Sequence, residues 1–447
     1  MSLIVAAEGS RPTRETCDQG RDMHMEAVIK LLPDDVVADI LRRLPPCSLA
    51  ASRCVCKAWH DMIDAGHLLR ADLLPHTLGG IFIDFRFLQV SELFRPSTRT
   101  AVSGDLSYSS ANTAVSEHCN GLVLLSHTVV NPATRQCARL PPLPPLPSRV
   151  GMEDFYVLVG DKFLVFDPSV SPHYEVVSIP LIPFEERLGR MPRESEWPPS
   201  PFVLPVYSSE TKRWEERPFV RQGSAAGTIA GMLEEDRVDL DLKRYGVYLR
   251  GALYVQIQND FCCRISLADR TYRVIRPPAG MDTAEYPELH LGKSGNEVCC
   301  ALVEDAFRFL RVWGLDESCG RCEWALKHRV DLGQALARGT CRREETGERW
   351  ILETVNDGGG ASDDDEEEGD DQAPAKSDYM SFLGFHPFED VVFLCDTLTR
   401  GLAYHLKRER LEYMGILRPR HYAHIAGSVA GVNASFPYTP CGMGELS

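Results

Sequence analysis

Two rhythms of apolar residues divide the chain. From Leu31 to Ile63 they recur at helical spacing. Val37, Ile40, Leu41 and Leu44 fall at i, i+3, i+4 and i+7, which predicts one stripe along a first helix. Pro33 suits the first turn of that helix, where its missing N–H would find no partner anyway. Asp34 and Asp35 place negative charge at the positive end of the helix dipole, and Arg42 and Arg43 place positive charge at the other end. Pro45 and Pro46 end the helix, and Ser48 offers a cap for a second one. There Ser52, Val55, Cys56, Trp59 and Ile63 share a face. Leu68, Leu69, Leu73 and Leu74 add a further turn or two. A unit this small cannot bury its own apolar faces, so something else must cover them.

After about residue 78 the helical period disappears. Short β-rich runs alternate with turns of Gly, Pro, Asn and Asp, as in "GLVLLSHTVVNPATRQCARLP" and "GALYVQIQNDFCCRISLADRTYRVIRPP". Turns fall near Asn131, Asp167, Ser209, Asp269, Asp316 and Asp396, mostly about forty to sixty residues apart. Repeats of that length, each a small antiparallel sheet, predict a β-propeller of six or seven blades; a β-sandwich is the structural alternative. A ring suits such units, because packing each sheet between two neighbours covers both of its apolar faces. The expected class is therefore α+β and multidomain, with a small helical unit ahead of a mainly antiparallel all-β domain. Its expected boundaries are a disordered tail at 1–28, the helical domain at 29–75, the β domain at 78–432 and a C-terminal tail at 433–447. "PPLPPLPSRV" (Pro141 to Val150) reads as a stiff polyproline connection between two repeats.

Charge changes the picture in one place. The chain has 447 residues and a formal net charge of −16, which argues against nucleic acid as a partner. The run "DDDEEEGDD" (Asp363 to Asp371) supplies much of that excess and predicts a solvated acidic loop over 357–377. The 15 cysteines are odd in number and unevenly spaced, unlike a disulfide framework. "CGRC" (Cys319 to Cys322) lacks the second pair a structural zinc site needs. The first twenty residues show no secretory pattern, and no stretch has the apolar length of a membrane span. These readings predict reduced thiols and a cytoplasmic or nuclear protein away from membranes.

The helical segment resembles the F-box. The resemblance is carried by Leu32-Pro33, by "DDVVADILRRLP" as first helix, by Leu49 after the proline break, and by "SRCVCKAWHDMI" with its Arg, Val, Cys, Lys and Trp. Further on, "HCNGLVLL" followed by "NPATR" resembles the start of the F-box-associated, kelch-like region of plant F-box proteins. The resemblance implies docking on a Skp-type adaptor and, through it, a cullin. The residues it implies for that contact are Leu32, Pro33, Ile40, Leu41, Leu44, Leu49, Val55, Cys56 and Trp59, with Val36 beside them; some of the set serves internal packing instead. It further implies the substrate receptor of a ubiquitin ligase of the Skp–cullin–F-box (SCF) type. Such a receptor is no enzyme, needs no cofactor, and holds a protein target in its β domain.

Catalytic motifs give no competing signal. There is no G-x-S-x-G elbow and no H-E-x-x-H. "LGKSG" (Leu291 to Gly295) lacks the earlier glycine of a phosphate loop and reads as a turn. His421 and His424 have no evident carboxylate partner. An enzyme built on a propeller, or a scaffold working outside a ligase, remains the alternative class.

Overall fold

The structure is a computed structural model, and it describes residues 34–42, 52, 55–65, 77–97, 102–143, 160–168, 170–180, 194–234, 243–257, 261–278, 289–304, 309–318, 322–338, 341–342, 349–353, 380–419, 422–426, 430–442 and 446. The expected tail at 1–28, the acidic loop at 357–377, most of the polyproline run, and Cys319 lie outside them. The chain divides into two compact units, Met1–Leu73 and Leu74–Ser447.

In the first unit, α1 (Asp34–Arg42) packs against α2 (Lys57–Ala65). Val37, Leu41 and Ile63 are buried there.

Among the described residues, the second unit forms six mainly antiparallel sheets and a separate two-stranded pair. Sheet I joins distant parts of the chain in the order β22 (Trp350–Glu353), β2 (Glu92–Pro96), β1 (Gly80–Phe85), β27 (Val432–Tyr438). Sheet II is a meander of β3 (Val115–Cys119), β4 (Leu122–Leu125), β5 (Thr128–Asn131) and β6 (Gln136–Arg139). Sheet III contains β7 (Gly160–Val165), β8 (Glu175–Pro180), β10 (Phe202–Ser208) and β11 (Arg213–Arg221), with a small pair of β9 (Glu196–Trp197) and β12 (Gly227–Thr228) beside it. The short helix α3 (Ile229–Glu234) follows. Sheet IV is β13 (Gly246–Leu249), β14 (Ala252–Ile257), β15 (Phe261–Ser266) and β16 (Thr271–Ile275); β11 and β16 touch in parallel and link it to sheet III. Sheet V is β17 (Leu289–Ser294), β18 (Glu297–Glu304), β19 (Phe309–Asp316) and β20 (Glu323–Asp331), followed by α4 (Leu332–Ala337). Sheet VI is β23 (Met380–Phe385), β24 (Val391–Asp396), β25 (Arg400–His405) and β26 (Arg410–Ile416), with β21 (Cys341–Arg342) on its outer edge. The helix α5 (Tyr422–Ala426) leads into β27.

The hydrophobic pattern explains why these strands lie face to face. Every residue of β4, β14 and β24 is buried, so the middle strands are covered on both sides and carry unbroken apolar runs. The outer strand β6 alternates toward solvent, and β20 contains no fully buried residue. One apolar core fills the space between each pair of neighbouring sheets: I with II, II with III, III with IV, IV with V, V with VI, and VI with I. The strands β27, β3, β7, β13, β17 and β23 also touch one another in that cyclic order. Glycine permits the tightest of these approaches. Gly384 has φ +127°, and a Cβ there would lie 2.5 Å from the Pro437 ring of β27.

Two expectations are corrected. Residues 433–447, expected as a tail, instead supply β27, which pairs with β1 from Gly80↔Tyr438 to Phe85↔Val432. The physical reason is burial: Ala434, Phe436, Tyr438 and Cys441 are all enclosed. The six turns read from the sequence also do not correspond one to one with the six sheets. Asp167 and Ser209 both lie in sheet III, whereas sheet I contains none of the six turns. Sheet I escapes a repeat search because its strands come from both ends of the β unit and from Trp350–Glu353.

Candidate functional site

Two surfaces carry chemistry. The first is on the helical unit. Along α1 the apolar residues separate onto two faces. Val37 and Leu41 point inward, while Val36 and Ile40 point outward. Ile40 is 49% exposed and Val55, ahead of α2, is 60% exposed. Cys56 is an exposed free thiol. Trp59 is half-buried, with its indole N–H enclosed and without a hydrogen-bond partner among the described residues. Leu41 was expected among the outward contacts; it is fully buried and packs internally, because it shares its face with Val37. Leu32, Pro33, Leu44 and Leu49 lie outside the described residues.

The second surface is a cavity where β3, β13, β17, β23 and β27 converge, one strand from each of five sheets. It encloses about 710 Å³ of empty space, its open mouth included. Side chains of β3, β17 and β23 line it, joined by residues of β13 and β27. Its floor is aromatic. The Phe436 ring, itself outside the lining, lies 5.6 Å from His118 and 6.0 Å from Tyr245. The His290 ring lies 5.5 Å from Tyr245 and 4.8 Å from Phe382. β13 and β27 stand opposite each other in the cyclic order, so Tyr245 and Phe436 meet across the centre.

Burial sets the electrostatics of this floor. His118 is pushed down to about 3 by desolvation, helped by the Lys293 and Lys243 ammoniums. Desolvation pushes His290 down to about 4. Both imidazoles are therefore neutral at pH 7. Behind the floor, Lys243 Nζ sits 3.8 Å from Glu117 Oε2 and 5.8 Å above the Phe436 ring. Glu117 is pushed up to about 7 by desolvation, against the pull of Lys243. In the lining, Lys293 Nζ donates to Asn120 Oδ1 at 2.8 Å, and Asn120 Nδ2 donates to the Phe166 carbonyl at 2.6 Å. Cys119 is no ready nucleophile: burial pushes its thiol up to about 12, and Sγ donates to the same carbonyl. The arrangement suits binding by stacking, hydrogen bonding and one cation.

Sequence reasoning did not single out this cavity. His118, Cys119 and Asn120 lie in the quoted "HCNGL". Lys293 lies in "LGKSG", which is the end of strand β17 and not only a turn, since Gly292, Lys293 and Ser294 pair with Cys299, Val298 and Glu297. Nothing in the local pattern marks these residues, because positions facing a central cavity alternate like any half-buried strand.

Comparisons with known proteins identify the helical unit. Residues 29–70 of this chain match the F-box domain family. Its relatives are plant F-box proteins. One from Arabidopsis thaliana is 34% identical over 99 residues, covering 21% of this chain and 27% of that protein. A second, also from Arabidopsis thaliana, is 34% identical over 128 residues, covering 25% of this chain and 30% of that protein. The chain thus matches less than a third of the length of either relative. Among solved structures, a chain from the S. cerevisiae complex of Dbp5 with Nup159, Gle1, IP6 and ADP has 8% identity and a TM-score of 0.23, over 62% of this chain and 61% of its own length.

Proposed function

We propose that this protein is the target-binding subunit of an SCF-type ubiquitin ligase, with the F-box docked on a Skp-type adaptor and the β unit built as a six-bladed propeller that holds the target. The observation that carries the docking half is the outward apolar set Val36, Ile40, Val55 and Cys56. Water is a poor neighbour for it, and covering three such aliphatic side chains contributes roughly 1.5–3 kcal/mol each before ordering costs are subtracted. Trp59 beside them fits the centre of an interface, where tryptophan concentrates binding energy. The blade reading is supported by the six inter-sheet cores and by the cyclic contacts of the first strands. The chain does no covalent chemistry in this role. It holds the target near activated ubiquitin, and proximity raises the rate.

Binding of the purified chain to a Skp-type adaptor tests this. Ile40→Asp and Val55→Asp each weaken the complex at least about tenfold, since each buries a charge in an apolar contact. Val170→Asp, at a residue 81% exposed in the β unit, leaves it unchanged. Equal affinity of wild type, Ile40→Asp and Val55→Asp overturns the proposal.

A further inference from the structure

The described lining of the central cavity holds one formal cation, Lys293, and no carboxylate. That is unusual in a chain whose net charge is −16. Among the described residues the Lys293 ammonium has one hydrogen-bond partner, Asn120, and forms no ion pair. An ammonium carries three donors, so two remain for a ligand. The same lining holds the aromatic rings of Phe382 and Tyr245 and two imidazoles, His118 and His290, each packed against an aromatic ring. The described lining is therefore a stacking surface that carries a single positive charge.

We infer that this cavity binds a carboxylate borne on a flat apolar body, with Lys293 taking the carboxylate and the aromatic floor taking the body. A single ammonium matches a monoanion. A phosphate dianion is usually gathered by several cations or an arginine fork, and the described lining contains no arginine. The neutral state of His118 and His290 suits a floor that stacks and does not compete for the anion. The carboxylate could come from a free small acid or from an acidic side chain of a target protein next to an aromatic one. The inference builds on the β unit as the target-binding half of the proposed receptor, and it is independent of adaptor docking.

Calorimetry with the full chain separates the cases. The probes are benzoate, its neutral isostere benzamide, phenyl phosphate, and the capped dipeptide N-acetyl-Glu-Phe-amide. Benzoate or the dipeptide binds, and which of the two binds better identifies the source. Benzamide binds at least about tenfold more weakly than benzoate, the loss expected for one charge-assisted contact. Lys293→Met removes that difference, whereas Lys293→Arg keeps it. The side-chain resonances of His118 and His290 move on binding. The inference falls if neither acid binds with a Kd below about 1 mM. It also falls if benzamide equals benzoate, if phenyl phosphate binds tightest, or if Lys293→Met, with its unfolding midpoint intact, binds benzoate like wild type. A chain that binds no adaptor yet binds benzoate leaves this site standing while the ligase role fails.

Discussion

The closing strand β27 offers the sharpest test of how the β unit is held together. Phe436 is fully buried and faces two neighbours at once. Its backbone pairs with Phe82 of β1, and its ring meets His118 of β3 and Tyr245, the residue before β13. Phe436→Ala removes the ring from a site where the surroundings are fixed by three separate strands and cannot collapse inward. The loss is therefore expected near the usual range for such truncations, about 3–5 kcal/mol. Whole domains are stable by about 5–15 kcal/mol, so one side chain removes a large part of that margin. In a unit spanning Leu74–Ser447 the shift in thermal midpoint per kcal/mol is modest, about 2 °C, giving a drop of roughly 6–10 °C.

Thermal and urea unfolding followed by circular dichroism measure the loss, with Asn433→Ala as control. Asn433 lies in the same strand but is exposed, and its removal stays within about 0.5 kcal/mol. Deleting 431–447 is the stronger perturbation. It uncovers Ile81, Phe82 and Ile83 of β1, all fully buried, and leaves a bare apolar strand edge. The truncated chain should aggregate or unfold non-cooperatively, and a synthetic peptide of 430–442 should restore the cooperative transition. If Phe436→Ala costs less than about 1 kcal/mol, or the truncated chain unfolds like the full one, then the strand does not close the unit and the reasoning is wrong.

Two further expectations follow from the buried groups. His118 and His290 have folded values of about 3 and about 4, below their ordinary 6.5; unfolding lets them bind protons that the folded state refuses. Their contribution is complete above about pH 6.5 and is lost as pH falls toward 4, by up to about 1.4 kcal/mol per pH unit for each. Glu117 acts oppositely, since its folded value of about 7 lies above 4.5; its contribution is complete below about pH 4.5 and is lost as pH rises to 7. Urea midpoints between pH 4 and 8 should therefore show a steeper acid limb in wild type than in His118→Gln, and an unchanged limb in that variant contradicts the assignment. Thiol titration of the native chain gives a second check. Cys56 and Cys137 are exposed and react at once, whereas Cys262, Cys263, Cys299, Cys300 and Cys395, buried and held far above neutrality, react only on unfolding.

What the sequence disclosed depended on how far apart in the chain the deciding residues lie. The helical unit was legible because its signals are local: Pro33, Asp34, Arg42 and the i, i+4 pair Val37 and Leu41 all fall within one helix or its flanks. Even there, a step of one residue, about 100° around the helix, decides the role of a side chain. Ile40 and Leu41 are neighbours of similar size, yet one is 49% exposed and the other fully buried. The turns at Asn131, Asp269 and Asp396 were legible for the same reason, since each joins strands adjacent in sequence. Sheet I was hidden because its pairing of Ile81 with Pro437 spans nearly the whole β unit. The central cavity was hidden more deeply. His118, Tyr245, His290 and Phe382 come from four separate segments of the chain, and none is unusual in its own segment. Only the cyclic order of the sheets brings them together, and that order is fixed by the same long-range strand, β27, that the local pattern assigned to a tail. A site assembled by closure is therefore readable only after the closure is known, and the fate of the chain's last strand decides both the stability of the β unit and the existence of its cavity.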